Sequence, residues 1–538
     1  MVYAAVVAVF ALLVAVVVLA SLATRLRVPY PILLVVGGLA LGFVPGLPRI
    51  TLDPALVLFL FLPPLIYSSA WFTPWRDFHA DLRPILLLAI GLVLTCTTLV
   101  AVVAHTVLGM AWPVAFVLGA LVSPTDAVAA SAIMQRLGVD RRVVTIVEGE
   151  SMVNDATGLV LYRFAVAAVV TAGFSLWQAS WQFVVVSAGG ILIGLLIAWP
   201  VAWLHRRLDD APREITITLL TPFAAYLLAD ALGASGVLAV LAAGLYLSRQ
   251  SSTFFSPNTR LQADSVWSVL VFLFNGLVFI LLGLQLHGLL GGLTRQAAAE
   301  LVGAATLVSV VVIVARLAWV AVATSVQRLL AHFSLITYRW GGWRNALLVG
   351  WAGMRGAVSL AAALALPLAL PGGTPFPARS QLIAVTFGVI LFTLVGQGLS
   401  LTPLIRALGM QSEGETEQEL LLARRALTVA ALARLEELAI TSDLPQAVVA
   451  DQRAHLEQQL DRLAVPTDGS GDRDDGSDGV RHVDAWVAAR SLRREVISAE
   501  RSTLIALRNL GKIDDEVVRR LERDLDLEEQ HDEQHVSG

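Results

Sequence analysis

From about residue 3 to residue 410 this chain is a succession of apolar stretches, each about twenty residues long and nearly free of charge. A helix rises about 1.5 Å per residue, so each stretch is long enough to cross the ~30 Å hydrocarbon layer of a bilayer. In lipid every backbone amide must find its partner inside the protein, and only helices do so within one segment. The chain therefore reads as an all-α polytopic membrane protein with about thirteen transmembrane helices. They are expected near residues 3–21, 31–47, 54–71, 85–109, 113–135, 145–171, 177–204, 214–233, 235–248, 265–286, 298–326, 344–368 and 381–408. The ninth is short, and Ala234-Ser235-Gly236 is the loop before it. Averages of 57% hydrophobic and 15% charged residues hide a sharp division, because beyond about residue 412 Glu, Asp and Arg crowd the sequence. Two domains follow: a membrane part over 1–410 and a helical tail over 411–538.

Arginine placement orients the spans. Arg25, Arg27, Arg136, Arg141, Arg142, Arg206, Arg207 and Arg213 fall in loops after odd-numbered spans, whereas the alternate loops carry only Arg49, Arg295 and Arg379. By the positive-inside rule the N-terminus is outside and the tail is cytoplasmic. The first stretch has no basic segment before it, and Arg25 and Arg27 follow it, so it is a retained span rather than a cleaved signal. The sole lysine, Lys512, fits a GC-rich bacterial coding sequence and hence a cell membrane. A net charge of −4 implies no nucleic-acid partner. One cysteine, Cys96, excludes an intrachain disulfide, and nine scattered histidines show no ligand spacing, so no cofactor is expected. No Gly-x-x-x-x-Gly-Lys-Ser/Thr loop is present to bind ATP, so transport would draw its energy from an ion gradient, and no enzyme activity is expected.

Several spans are interrupted: the third by Pro63-Pro64, the fifth by Ser123-Pro124-Thr125-Asp126, the twelfth by Gly353-Met354-Arg355-Gly356. Proline removes a backbone donor and glycine loosens the helix, so the freed groups need partners at depth. The fifth and twelfth spans are seven apart, equivalent in two six-helix repeats. An odd offset requires that the repeats be inverted, the plan of secondary transporters with sites at broken, crossing helices.

Carboxylates lie inside these stretches, where a charge costs from ~3 to more than ~10 kcal/mol unless paired or watered. On a helix Ser151 and Asp155 are four apart and share a face, while Glu150 and Asn154 form a second stack about 100° round. The first edge, hydroxyl plus carboxylate, suits a hard monovalent cation. The second needs a cation of its own for Glu150, and Arg355 is the candidate because guanidinium pairs bidentately with carboxylate. Asp126 and Thr125 follow Pro124 where the fifth span unwinds, so both reach the same ion. Asp155, Ser151 and Asp126 form the expected monovalent-cation ligand set, with Thr125, Asn154 and Glu150 around it. The plainer alternative is that Asp126 and Asp155 only cap broken helices; acids on two nearby spans and an arginine on a third argue against it. Arg163 and Arg316 read as structural pairs or rim residues, Asn275 as an interhelical hydrogen bond, and Glu148 has no assigned role.

At these residues the chain resembles the monovalent cation:proton antiporters, in the branch that holds the bacterial NhaP-type and the animal sodium/proton exchangers. The marks are Thr125-Asp126, Gly149-Glu150-Ser151 followed by Asn154-Asp155, Met354-Arg355-Gly356-Ala357, and Phe61-Leu62-Pro63-Pro64. The resemblance implies that Asp155 binds either the cation or the proton, that Asp126, Thr125 and Ser151 help form the site, and that Glu150 and Arg355 are a structural ion pair. Electrogenic relatives carry Asp-Asp where this chain has Asn154-Asp155, which implies electroneutral one-for-one exchange of Na+, or of Li+ or K+, for H+. A homodimer is a further family-level implication.

The tail reads as helix over 415–442, a break near Pro445, helix to about 463, a flexible Gly/Asp/Ser linker over about 466–483, and helix over 484–529 with a break at Gly511. It is expected to pack or dimerise, with regulation as the sharper alternative. The rival functions are a potassium/proton antiporter, a cation channel using the same acids, and a membrane receptor whose acids are structural.

Overall fold

The computed structural model describes residues 2–26, 28–43, 59–73, 75–171, 176–290, 295–332, 342–370, 373–410, 413–441, 445–464, 483–513 and 515–534. Among these residues the regular structure is helical, apart from an isolated bridge between Ala369 and Pro375. The chain divides into two compact units, Met1–Phe254 with Asp264–Gln411, and Phe255–Ala263 with Ser412–Gly538.

The first unit opens with α1 (Val2–Leu26), α2 (Tyr30–Gly42), α3 (Leu62–Phe72) and the short α4 (Trp75–Ala80). Next come α5 (Leu82–Thr106), π-helical over Leu87–Leu92, the half-helices α6 (Trp112–Val122) and α7 (Val128–Arg136), and α8 (Arg141–Thr171). The chain continues through α9 (Leu176–His205), α10 (Ala211–Ala231), α11 (Gly236–Phe254), α12 (Pro257–Leu290) and α13 (Arg295–His332). It closes with the half-helices α14 (Trp343–Trp351) and α15 (Ala357–Leu364), then α16 (Arg379–Leu408). Eight helices among the described residues are long and apolar enough to cross a membrane, and α2 and α6 are shorter apolar helices. The stretches near 113–135 and 344–368 are broken in two, as their Pro and Gly residues foretold. The short ninth stretch is a helix of its own: the chain turns through Gly233, whose φ of +72° is left-handed, and restarts as α11.

Two groups of helices pack within this unit. α3, α9, α10 and α11 lie against one another, while α5, α6, α8, α13, α14 and α16 surround the broken segments. α2 and α12 cross at their backbones: a Cβ on Gly38 would stand 2.2 Å from the Ile280 carbonyl oxygen, and one on Gly283 would stand 2.1 Å from that of Val35. α9 carries exposed tryptophans towards both ends, Trp177 and Trp181 at one, Trp199 and Trp203 at the other, with exposed Leu192 and Leu196 between. The end-to-end spacing is about 30 Å, so the indole rings sit where the two interfaces of a bilayer would be.

The second unit consists of α17 (Glu413–Thr441), α18 (Gln446–Ala464), α19 (Val483–Asn509) and α20 (Asp515–Gln534), together with the segment Phe255–Ala263 at the start of α12. The predicted linker over 466–482 lies outside the described residues, and the break at Gly511 is present with φ +73°. Leu420, Leu427, Ile497, Leu504, Val518 and Leu521 form its core. Asp526 on α20 is buried and receives Arg501 at 2.9 Å and both Nε and Nη2 of Arg260, at 3.0 and 2.9 Å. Arg260, on the segment Phe255–Ala263, thus supplies this buried carboxylate with a bidentate partner.

Two expectations follow. Gly283→Val drives a branched side chain into the α2 backbone. It should lower the thermal stability of the purified protein by about 1–3 kcal/mol, or prevent its recovery as a monodisperse species on gel filtration. Glu500 on α19 is buried, with Glu528 nearby and Arg493 only partly offsetting, and its carboxyl is pushed up from the ordinary value to about 7. The folded tail therefore binds this proton more tightly than the unfolded chain does. Stability is fully present below about pH 4.5 and declines by on the order of 3 kcal/mol as pH rises to about 7. Glu500→Gln should abolish this decline, read as hydrogen-exchange protection of α19 and α20 between pH 5 and 8.

Candidate ion site

The two broken spans meet at their interruptions. α6 ends at Val122, just before Pro124, and the chain is non-helical until α7 begins at Val128; the second interruption covers Ala352–Gly356. The Asp126 amide donates to the Met354 carbonyl at 2.8 Å, so each break supplies a partner the other lost. Gly356 is required here: a Cβ at that position would stand 1.7 Å from Asp126 Oδ2. Asp126 Oδ1 in turn accepts from the Val128 amide at 2.9 Å, at the start of α7.

α8 faces this crossing with two polar edges of different character. On one edge Glu150 and Asn154 are buried, as is Thr125 opposite. The Asn154 amide donates to Thr125 Oγ1 at 2.7 Å, and Thr125 donates to Glu150 Oε1 at 3.1 Å. On the other edge Ser151 and Asp155 are half-buried, as is Asp126 across from them, and Asp126 is the charged neighbour that Asp155 feels. The Ser151 hydroxyl accepts from the Ala127 amide at 3.2 Å. Asp126, Ser151 and Asp155 thus form a reachable set of oxygen donors, the kind a hard monovalent cation takes. The Thr125 hydroxyl and the Asn154 amide nitrogen are committed to that network instead, while Asn154 Oδ1 is buried without a hydrogen-bond partner.

The expected pair of Glu150 with Arg355 is corrected. Glu150 is held by Arg316 of α13: Nη1 bonds Oε1, and Nη2 bonds Oε2 at 2.6 Å. Arg316 Nε also donates to the Val349 carbonyl at 3.1 Å, and both ion-pair partners are inaccessible to solvent. Arg355 donates Nε to the Val122 carbonyl at 2.9 Å and Nη1 to the Gly353 carbonyl, while its own amide donates to Thr393 Oγ1 at 3.2 Å. The physical reason is that unwinding frees carbonyls at the end of α6 and in the second break, and a cation at a helix C-terminus satisfies both charge and hydrogen bonding. Arg316, read from sequence as a rim or structural residue, is therefore a central one. Its only signal was an arginine in the middle of an apolar span.

The remaining polar residues lie apart from this set. Arg163 pairs with Asp230 of α10 at 2.9 Å with both side chains about half exposed. Asn275 is buried on α12 in the neighbourhood of Tyr30 of α2. Cys96 is a buried free thiol.

With this geometry in place, comparison with known proteins is decisive for the family. The family described as sodium/hydrogen exchanger, transmembrane, matches residues 11–407. The chain belongs to the sodium/hydrogen exchanger family. An uncharacterised Na+/H+ exchanger of Mycobacterium bovis is 39% identical over 535 residues, covering 97% of this chain and 95% of that one. The Na+/H+ antiporter ApNhaP of Aphanothece halophytica is 34% identical over 406 residues, 74% of each chain. In fold, this exchanger is similar to the sodium proton antiporter MjNhaP1 of Methanocaldococcus jannaschii, with a TM-score of 0.57 at 22% identity over 76% of this chain and all of the other.

Removing one member of the Arg316–Glu150 pair leaves the other charged and buried. Arg316→Ala should cost the exchanger about 3–5 kcal/mol in thermal unfolding, and the double variant Arg316→Met/Glu150→Gln should recover much of that loss. Equal losses in the single and double variants would show that the two residues are not coupled.

Proposed function

We propose that this exchanger is a secondary active transporter that trades Na+ for H+ across the cell membrane, one for one and without net charge movement. The observation that carries the reading is the juxtaposition of Asp126, Ser151 and Asp155 at the crossing of two broken helices, half-buried and beside a neutralised Glu150. Asp126 and Asp155 are the ionisable groups on the reachable edge, because Asn154 is neutral and Arg316 satisfies Glu150. Asp155 takes either the cation or the proton, and Asp126 with the Ser151 hydroxyl completes the cation's oxygen shell. Competition at one carboxylate then couples the two gradients, with no further cofactor. Alternating access exposes that carboxylate to each side in turn. The arginine pattern supports an outside N-terminus and a cytoplasmic tail, and the breaks seven spans apart support thirteen crossings in two inverted repeats. The exposed apolar and tryptophan-bearing surface of α9 supports contact with lipid and with a second copy of the chain.

The test is proton movement in everted vesicles or proteoliposomes on addition of Na+, Li+ and K+ in turn. Asp155→Asn should abolish Na+-driven proton release while the protein remains monodisperse and as stable as wild type. In wild type the KM for Na+ should rise about tenfold for each pH unit of acidification below the carboxyl's midpoint, because proton and cation compete. A pH-independent KM, persistent exchange in Asp155→Asn, or a current matching the flux would each contradict the mechanism.

A further inference from the structure

The second unit contains a cleft of about 460 Å³ lined by residues of α17, α18, α19 and α20, a volume within the range that holds small organic ligands. Its base is hydrocarbon: Leu427, Leu521 and Leu525 are buried and belong to the core of the bundle. Its polar lining is weighted towards acid. Arg424 of α17 reaches Asp524 of α20 at 2.8 Å, so those two charges offset each other. Gln459 of α18 is neutral, and the Thr428 hydroxyl already donates to the Arg424 carbonyl at 3.0 Å. Two carboxyl groups remain in the lining, Glu500 of α19 and Glu528 of α20.

Glu500 is the group this balance leaves unmatched. Its side chain lines the cleft, it is only 7% exposed, and it makes no hydrogen bond or ion pair with the described residues. Asp526, another buried acid of the unit, is met by guanidinium from both Arg260 and Arg501. The charges that act on Glu500 are Glu528 and, seven residues earlier on α19, Arg493, and each of these has further interactions of its own. A carboxyl group so placed is stabilised either by a proton or by a cation that enters the cleft. Burial first, and then Glu528, push it up to about 7, so near neutral pH the proton is readily exchanged for such a cation.

The lining also selects the kind of cation. Among the described residues no three His, Cys, Asp or Glu side chains are grouped to hold a metal ion, and the cleft is far larger than a bare ion. An ammonium group donates charge-assisted hydrogen bonds to a carboxylate, and a hydrocarbon body attached to it would cover the leucines. We propose that this cleft is a binding site for a small organic cation, an ammonium group on an apolar body, with Glu500 as its counter-ion.

Hydrogen exchange of the purified full-length exchanger reads the site locally, with n-butylammonium chloride as the probe and n-butanol as its neutral counterpart. At pH 8 butylammonium should slow exchange in α19 and α20, and butanol at the same concentration should not. The half-saturating concentration should be about tenfold higher at pH 6, because the cation then competes with a proton on Glu500. Glu500→Gln should raise it about tenfold or more at pH 8 and remove its pH dependence. Gln459→Trp, which fills the cleft without changing its charge, should abolish the protection while the ligand-free exchange rates stay as in wild type. Equal protection by butanol, a pH-independent half-saturation, or wild-type binding in either variant would overturn the proposal, as would no protection of the wild-type protein. The measurement involves no transport, so its outcome is separate from that of the antiport reading.

Discussion

Unwinding two helices in the middle of a membrane domain releases backbone groups that water does not reach, and the rest of the site follows from how they are satisfied. The Asp126 amide is taken by the Met354 carbonyl, and the Val122 and Gly353 carbonyls are taken by Arg355. Each of these groups would cost several kcal/mol if left unpaired in hydrocarbon. The crossing is therefore a set of mutual dependences: α6 and α7 need the second break, and the second break needs a guanidinium between the two. Gly356 follows from the same closeness, since a side chain there would occupy the position of the Asp126 carboxylate.

That arrangement separates the charges by task. Glu150 is fully buried and receives Arg316, Thr125 and the Asn154 network, so its charge is spent on holding α8, α13 and the first break together. Asp126 and Asp155 remain half-buried, with Asp126 Oδ1 accepting from the Val128 amide and the neighbouring Ser151 hydroxyl from the Ala127 amide. A carboxylate held in a bidentate ion pair with guanidinium is not available to a transported cation. The division between the guanidinium-bound Glu150 and the half-buried Asp126 and Asp155 underlies the exchange proposed above.

In the tail the logic is that of a soluble bundle. Leucine and valine on α17, α19 and α20 make the core, and buried Asp526 is matched by arginines from two segments. Glu500 is the exception, buried where burial and Glu528 favour its protonated form near neutral pH.

The sequence alone determined the membrane class, the breaks in the fifth and twelfth stretches, the face shared by Ser151 and Asp155, and the tail's helical segments, because all of these follow from local properties: apolar length, proline and glycine, and the 3.6-residue period. The separate α11 was legible for the same reason. What only the tertiary structure decided was which charged groups meet. Arg316 and Arg355 are both arginines in apolar spans, and spacing along the chain does not say which of them reaches Glu150. Three-dimensional packing settles it, since Arg355 lies on the very segment whose unwinding frees carbonyls and is held by them. The pairing of Arg260 with Asp526, far along the chain, is another that spacing does not reveal.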